Sequence, residues 1–348
     1  SPVTAPARSP LRAGLVARTA FVTVLVAATL AASPGCLPDK ETGGPEDTRP
    51  VTLAVSQEAL SALAYVARDE GVFESSGLTV TFTEYSSSQL ALEALLAGEA
   101  DAALCADTPI VLAALEGRPA TIIATVATHT NDIQIVARAD AGITAPTDLR
   151  DKRVGTREGT AAHFFLHGFL IKYGMSDVDV DLRFDSFEGV TAALIAGDLD
   201  AVSLRQPFTS QLAAALGDDF VLFEEHGLYD KTMNLCVRAD STTPDQETRR
   251  RLVDAFLDAE RVVSADTSGR TRVEVSAALD LPPGELCDCM FKEGTVSLRQ
   301  SLVMALEEQA RWARRSGVVE PKDGFDALGL LDTSVLDALA PERVTVIR

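Results

Sequence analysis

From residue 51 onward the apolar positions keep two alternating rhythms. Short runs such as VTLAVS, LTVTFTEY, DAALC, TIIATV, RVGT, VDVDLRF, LDAVSL and FVLF have the spacing of strands buried on one or both faces. Between them stand stretches whose apolar residues recur every three or four positions: LSALAYVARDEG, SQLALEALLAG, Thr108 to Leu115, and residues 160–173, 188–196 and 208–216. Strands that alternate with helices in this way predict a mostly parallel sheet with helices on both faces. After Pro244 the chain reads as nearly all helical, with Trp312 in a long helix expected to start near Val296.

One phrase occurs twice. ALLAGEADAA at 94–103 returns as ALIAGDLDAV at 193–202, and each copy reads as a helix, a glycine turn and a buried strand. Gly98 and Gly197 fall where a left-handed C-cap favours glycine, and Ser88 is placed to cap the first helix. A second echo joins IQIVARAD (133–140) to MNLCVRAD (233–240), both extended. Together the echoes predict two similar α/β lobes joined by two crossing segments, one lobe from residues 51–135 with 236–348 and an inserted one from 136–235.

The N-terminus is a different object. Arg8, Arg12 and Arg18, without an acid, precede the thirteen-residue apolar run AFVTVLVAATLAA and then Ser33-Pro34-Gly35-Cys36. That is the layout of an export signal over residues 1–36, too short to span a bilayer of about 30 Å comfortably. Its end resembles a lipobox with Cys36 as the acylated residue, although Pro34 is not usual there, and simple secretion is the other reading. Residues 37–50 are polar and rich in Pro and Gly, a tether reaching at most about 50 Å.

The remaining composition, 46% apolar and 24% charged over 348 residues, is that of globular domains. The formal net charge of −20 excludes nucleic acid as a partner, because phosphate backbones would be repelled. Cys105, Cys236, Cys287 and Cys289 have three possible pairings in an exported protein, and the lone Cys287-Asp288-Cys289 motif is a weak metal site.

The order of the motifs carries a family likeness. ARDEGVFESSGLTVTF (67–82), ALLAGEADAA, TDLRDKRVGT (147–156), ALIAGDLDAV and Gln206-Pro207-Phe208 resemble the SsuA/THI5-like substrate-binding proteins of ABC transporters, which bind sulfonates, nitrate or a thiamine precursor. The resemblance covers nearly all of residues 51–340. It implies a type II periplasmic binding protein: a monomer whose two doubly wound lobes, linked by crossing strands, close on a small solute and deliver it to a membrane permease. Catalytic residues, cofactor and metal are not part of that expectation.

Crevices in open α/β sheets lie outside the carboxyl ends of the strands, where helix N-termini present free N–H groups. Strand ends read from the sequence name Gln57, Tyr85, Ser87, Ser88, Asp107, Thr108 and Asn131 in the first lobe. In the second they name Arg157, Thr160 and Arg205, with Asn234 on the return crossing. The hydroxyls can cap helices as well as bind a solute. Arg157 and Arg205 can fork onto a carboxylate, sulfonate or phosphate, or pair with one of the chain's many acids. Asp107 can orient an amine or serve only as a cap. His163 and His167, at i and i+4, read as helix surface. Transport and sensing of the same solute are alike at this level. A cytoplasmic enzyme on the same fold, of the pyrimidine-precursor synthase or chorismate dehydratase type, agrees less well with an export signal.

Overall fold

The computed structural model describes residues 50–281, 286, 295–320 and 324–347. Its strands are β1 (Val51–Ser56), β2 (Val80–Tyr85), β3 (Ala102–Ala106), β4 (Ala120–His129), β5 (Ile133–Arg138), β6 (Arg153–Thr156), β7 (Asp181–Phe184), β8 (Ala201–Arg205), β9 (Phe220–Phe223) and β10 (Lys231–Arg238). They form two five-stranded sheets, ordered β2-β1-β3-β10-β4 and β7-β6-β8-β5-β9. Interleaved helices are α1 (Ala62–Asp69), α2 (Val72–Ser75), α3 (Ser88–Ala97), α4 (Asp107–Leu115), α5 (Ala161–Lys172), α6 (Phe187–Ala196) and α7 (Phe208–Leu216). The C-terminal part adds α8 (Gln246–Ala265), α9 (Arg270–Ala278), α10 (Gln300–Ser316) and α11 (Ser334–Leu339).

The two sheets share one plan. In each, the first strand in sequence of its βαβ series runs parallel to two neighbours, β1 to β2 and β3, and β6 to β7 and β8. The fourth position is taken by a strand of opposite direction, β10 in one sheet and β5 in the other. These are the two echoed segments. The chain therefore passes between the sheets twice, between His129 and Ile133 and between Phe223 and Lys231.

The repeated phrase performs the same local task in both sheets. Gly98 and Gly197 end α3 and α6 at φ +79° and +80°. Three residues later the aspartates clamp the neighbouring strand. Asp101 gives its backbone N–H to the Thr52 carbonyl while its carboxylate accepts the Thr52 N–H, both at 2.9 Å. Asp200 repeats this on Arg153, at 2.9 and 2.8 Å. The Arg-Ala-Asp echo belongs to the same corner. Arg138 donates to the α6 carbonyl of Leu194 at 2.9 Å, a second donor there beside the Gly197 N–H at 3.2 Å. Arg238 lies against Gly98, its Nη1 2.6 Å from where a Cβ would stand.

Burial follows the predicted rhythms. Leu53, Leu95, Leu104 and Ile110 are completely enclosed, and Phe73 meets Phe82 and Phe256 edge-on at 6.0 Å, tying α2 to β2 and α8. The Trp312 helix begins at Gln300 rather than near Val296. Ser297 is held extended by two backbone bonds with Thr125 of β4, and Leu298 by bonds with Arg343 and Thr345. Backbone groups already committed to β4 cannot start a helix. Ser87, not Ser88, caps α3, its hydroxyl accepting the Leu90 N–H at 3.4 Å. Cys105 and Cys236 are buried free thiols on adjacent strands, offset by two positions of register. Cys36, Cys287 and Cys289 lie outside the described residues. No described helix is long and apolar enough to cross a membrane.

Candidate functional site

Four helices of nine residues or more, α3, α4, α5 and α6, begin around one crevice between the two sheets. Ser87, Ser88, Gln89 and Pro109 line it from the first lobe, and Thr160, Ala161, Phe187 and Arg205 from the second. Their convergence concentrates free N–H groups and the positive ends of helix dipoles in one place. In this conformation the enclosed space is about 20 Å³, room for one water molecule.

Glu58, Arg205 and Lys231 also line it, and with Asp132 they make a set of four buried charges. The Lys231 ammonium lies 2.5 Å from Glu58 and 2.7 Å from Asp132, and the Arg205 guanidinium is 3.8 Å from Glu58. All four side chains are nearly sealed from solvent. Burial alone would favour protonated Glu58, but Lys231 and Arg205 outweigh it and hold the carboxyl down to about 2. For Lys231, burial opposes the charge while Asp132 and Glu58 win and raise its pKa. The set balances internally, two cations against two carboxylates, which is the condition under which buried charge is tolerated.

Arg205 reaches across the crevice. From the end of β8 it donates to the Gln206 carbonyl at 2.7 Å and, in the other lobe, to the Ser86 carbonyl at 3.4 Å. Its guanidinium lies 5.4 Å from the Phe187 ring centre, and Arg157 approaches the same ring at 5.9 Å. Phe187 thus has an enclosed cation and a half-exposed one within 6 Å of its ring.

Of the residues named from the sequence, Ser87, Ser88, Thr160 and Arg205 line the crevice. Thr160 stands at the head of α5, but its hydroxyl donates to the Arg157 carbonyl at 2.7 Å instead of capping. Asp107 and Thr108 open α4 beside it. The Asp107 carboxylate is engaged by the Tyr229 hydroxyl, by Gln309 at 3.0 Å and by the Thr108 N–H, while burial pushes its pKa upward. Thr108 Oγ1 is buried without a hydrogen-bond partner among the described residues. Tyr85 is half-buried at the end of β2. Three residues sit elsewhere. Gln57 is exposed and bonds Glu84, Asn131 bonds Glu224 on the crossing, and Asn234 is sealed in the first sheet between Thr125 and Thr232. His163 is buried rather than on the surface, wedged between Phe184 and Trp312.

Glu58, Asp132, Lys231 and Phe187 escaped the sequence reading. Crevices are expected at the carboxyl ends of strands, but β5 and β10 run against their neighbours, so their amino ends meet the crevice. Asp132 and Lys231 stand at those amino ends, and Asn234, three residues further along β10, falls into the core. Glu58 and Phe187 do follow carboxyl ends, two residues past β1 and three past β7, where a carboxylate and a phenyl ring carry no anion-binding signal of their own.

Residues 60–266, more than half of the chain, match the profile of the family described as NMT1/THI5 like. The chain belongs to the NMT1/THI5-like family. No curated protein matches the sequence. Among solved structures, this member resembles the alkanesulfonate-binding protein SsuA from Xanthomonas axonopodis pv. citri, bound to MOPS, at TM-score 0.69 and 19% identity, over 82% of this chain and 98% of that one. The periplasmic aliphatic sulphonate-binding protein SsuA from Escherichia coli matches at 0.65 and 13%, over 80% and 94%. The periplasmic nitrate-binding protein NrtA from Synechocystis PCC 6803 matches at 0.66 and 12%, over 85% and 89%. The likeness establishes the fold, that of periplasmic binding proteins with two α/β lobes.

Proposed function

We propose that this NMT1/THI5-like protein is a lipid-anchored receptor that closes its two lobes on a small organic anion, of sulfonate type or related, and delivers it to an ABC permease. The observation that carries the reading is Arg205, a buried guanidinium of one lobe hydrogen-bonded to the backbone of the other inside a ring of helix N-termini. A fork of parallel donors suits a carboxylate, sulfonate or phosphate head. The hydroxyls of Ser87, Ser88 and Thr160 are the adjacent partners, and Arg157, 5.9 Å from the Phe187 ring centre, is a second cation. In this proposal the crossings at 129–133 and 223–231 are the hinge, and closure derives its energy from tighter binding in the shut state. Cys36 is the acylated residue, and residues 37–50 hold the body near the membrane.

The test is a thermal-shift screen of the body from residue 37 against sulfonates, nitrate, pyrimidines and amino-acid-like anions, repeated on Arg205→Ala. A ligand that binds the folded state raises the melting temperature by mass action, by about 3 kcal/mol of stabilisation at a hundredfold excess over Kd. The expected result is a shift with an anion that Arg205→Ala abolishes. A shift confined to neutral or cationic solutes, or one unchanged in the variant, overturns the anionic reading. For the anchor, Cys36→Ala in the full chain is expected to move the protein from the membrane fraction to the soluble one.

A further inference from the structure

A second crevice, of about 340 Å³, lies between α5 of the second lobe and α10, which packs on the first. It shares Phe164, Leu228, Tyr229 and Glu308 with an adjoining space of about 520 Å³, and none of the four buried charges lines either. Its wall is aromatic. Phe164 meets Tyr229 edge-on at 5.1 Å and Trp312 at 5.4 Å, and His163 stands perpendicular to the indole behind it at 5.0 Å. Burial pushes His163 down to about 4, so the ring behind the indole is neutral.

Two observations give the crevice a polarity. Trp312 is only 3% exposed, yet its indole N–H has no acceptor among the described residues, an uncommon state for a buried donor. Arg311 and Arg315, one turn apart on α10, stand at the edge. Arg311 has a loose 3.8 Å contact with Glu307, and Arg315 makes no ion pair with a described residue. Lys172 is engaged with Glu225 and His167 with Asp177, leaving Glu308 as the opposing charge. In a chain of formal net charge −20 this is a cationic rim around an apolar wall.

We propose that this crevice is a second ligand site, for an amphiphilic monoanion whose apolar body packs on Phe164, Leu228, Tyr229 and Trp312 while its acidic head meets Arg311 and Arg315. The volume is in the range of small-molecule pockets. An occupant would touch α5 and α10 together and so bias the angle between the lobes, coupling this site to the first by linkage.

Trp312 is the only tryptophan of the chain, so its emission reads this site directly. Decanoate, below its micelle concentration, is titrated into the folded body and compared with decanol. The expected result is a saturable change in emission with decanoate, at least tenfold weaker in affinity in Arg311→Ala/Arg315→Ala, and retained in Arg205→Ala, which separates the two sites. Both α10 arginines are exposed, so the double variant should stay folded, with circular dichroism as the check. No saturable change, an equal response to decanol, an affinity untouched by the double substitution, or loss in Arg205→Ala each overturns the proposal.

Discussion

Gly98 and Gly197 occupy matching left-handed corners but differ in what surrounds them. A Cβ at Gly197 finds only the Arg138 guanidinium at 3.9 Å, whereas at Gly98 it lands 2.6 Å from Arg238. Gly197→Ala should cost about 1 kcal/mol from backbone strain alone, and Gly98→Ala more, since Arg238 must also move. In thermal melts the expected loss is about 1.5 °C for the first and larger for the second; equal losses would show that the arginine yields freely. Glu58 makes a prediction in pH. Its folded pKa lies near 2 against an ordinary value of 4.5, so its ionised form stabilises the fold at neutral pH. That contribution is complete above the unfolded pKa and is lost as pH falls through the folded one, on the order of 3 kcal/mol between about pH 4.5 and 2. Denaturant melts over that window should show the slope, and Glu58→Gln should remove this share of it. Arg205 was legible because it ends a strand that runs the expected way. Lys231, its equal in burial, was not, because nothing local in KTMNLCVR reveals the direction in which it crosses the sheet.

Elements were more legible than residues. Helix 208–216 and strands VTLAVS, RVGT and FVLF stand where their periodicity placed them, since apolar spacing and strand-length runs are local properties. The start of α10 was not, because the bonds that keep Ser297 extended come from β4, more than 170 residues earlier. The twin aspartates show how a corner is fixed between elements. Each carboxylate accepts a strand N–H with charge assistance, a bond worth about 1.5–3 kcal/mol. Asp101→Ala and Asp200→Ala should each cost about that much, and Asn at either site should restore part of it. Amide exchange gives a more specific readout: Thr52 should lose protection in the first variant only and Arg153 in the second only.

At the scale of the molecule, the net charge and the proposed solute have the same sign. Long-range repulsion slows an anion approaching a −20 body, and salt screens it over about 8 Å at physiological ionic strength. Stopped-flow association of an identified anionic ligand should therefore accelerate severalfold between about 10 and 150 mM salt, the reverse of electrostatic steering. Deceleration with salt would mean that the cationic groups at the crevice mouth dominate the approach.

The fourth strand of each sheet also sets an order in time. Residues 133–223 contain every strand of the second sheet, so a growing chain can finish that sheet before the first, although it started later. Until residues 231–238 are made, β3 and β4 have no strand between them, and their facing edges stay open to stray pairing. A chain stopped at residue 230 should protect amides of β5, β6 and β8 from exchange while those of β3 and β4 exchange freely. Premature termination between residues 224 and 230 would thus yield one finished lobe tied to an unfinished, aggregation-prone one.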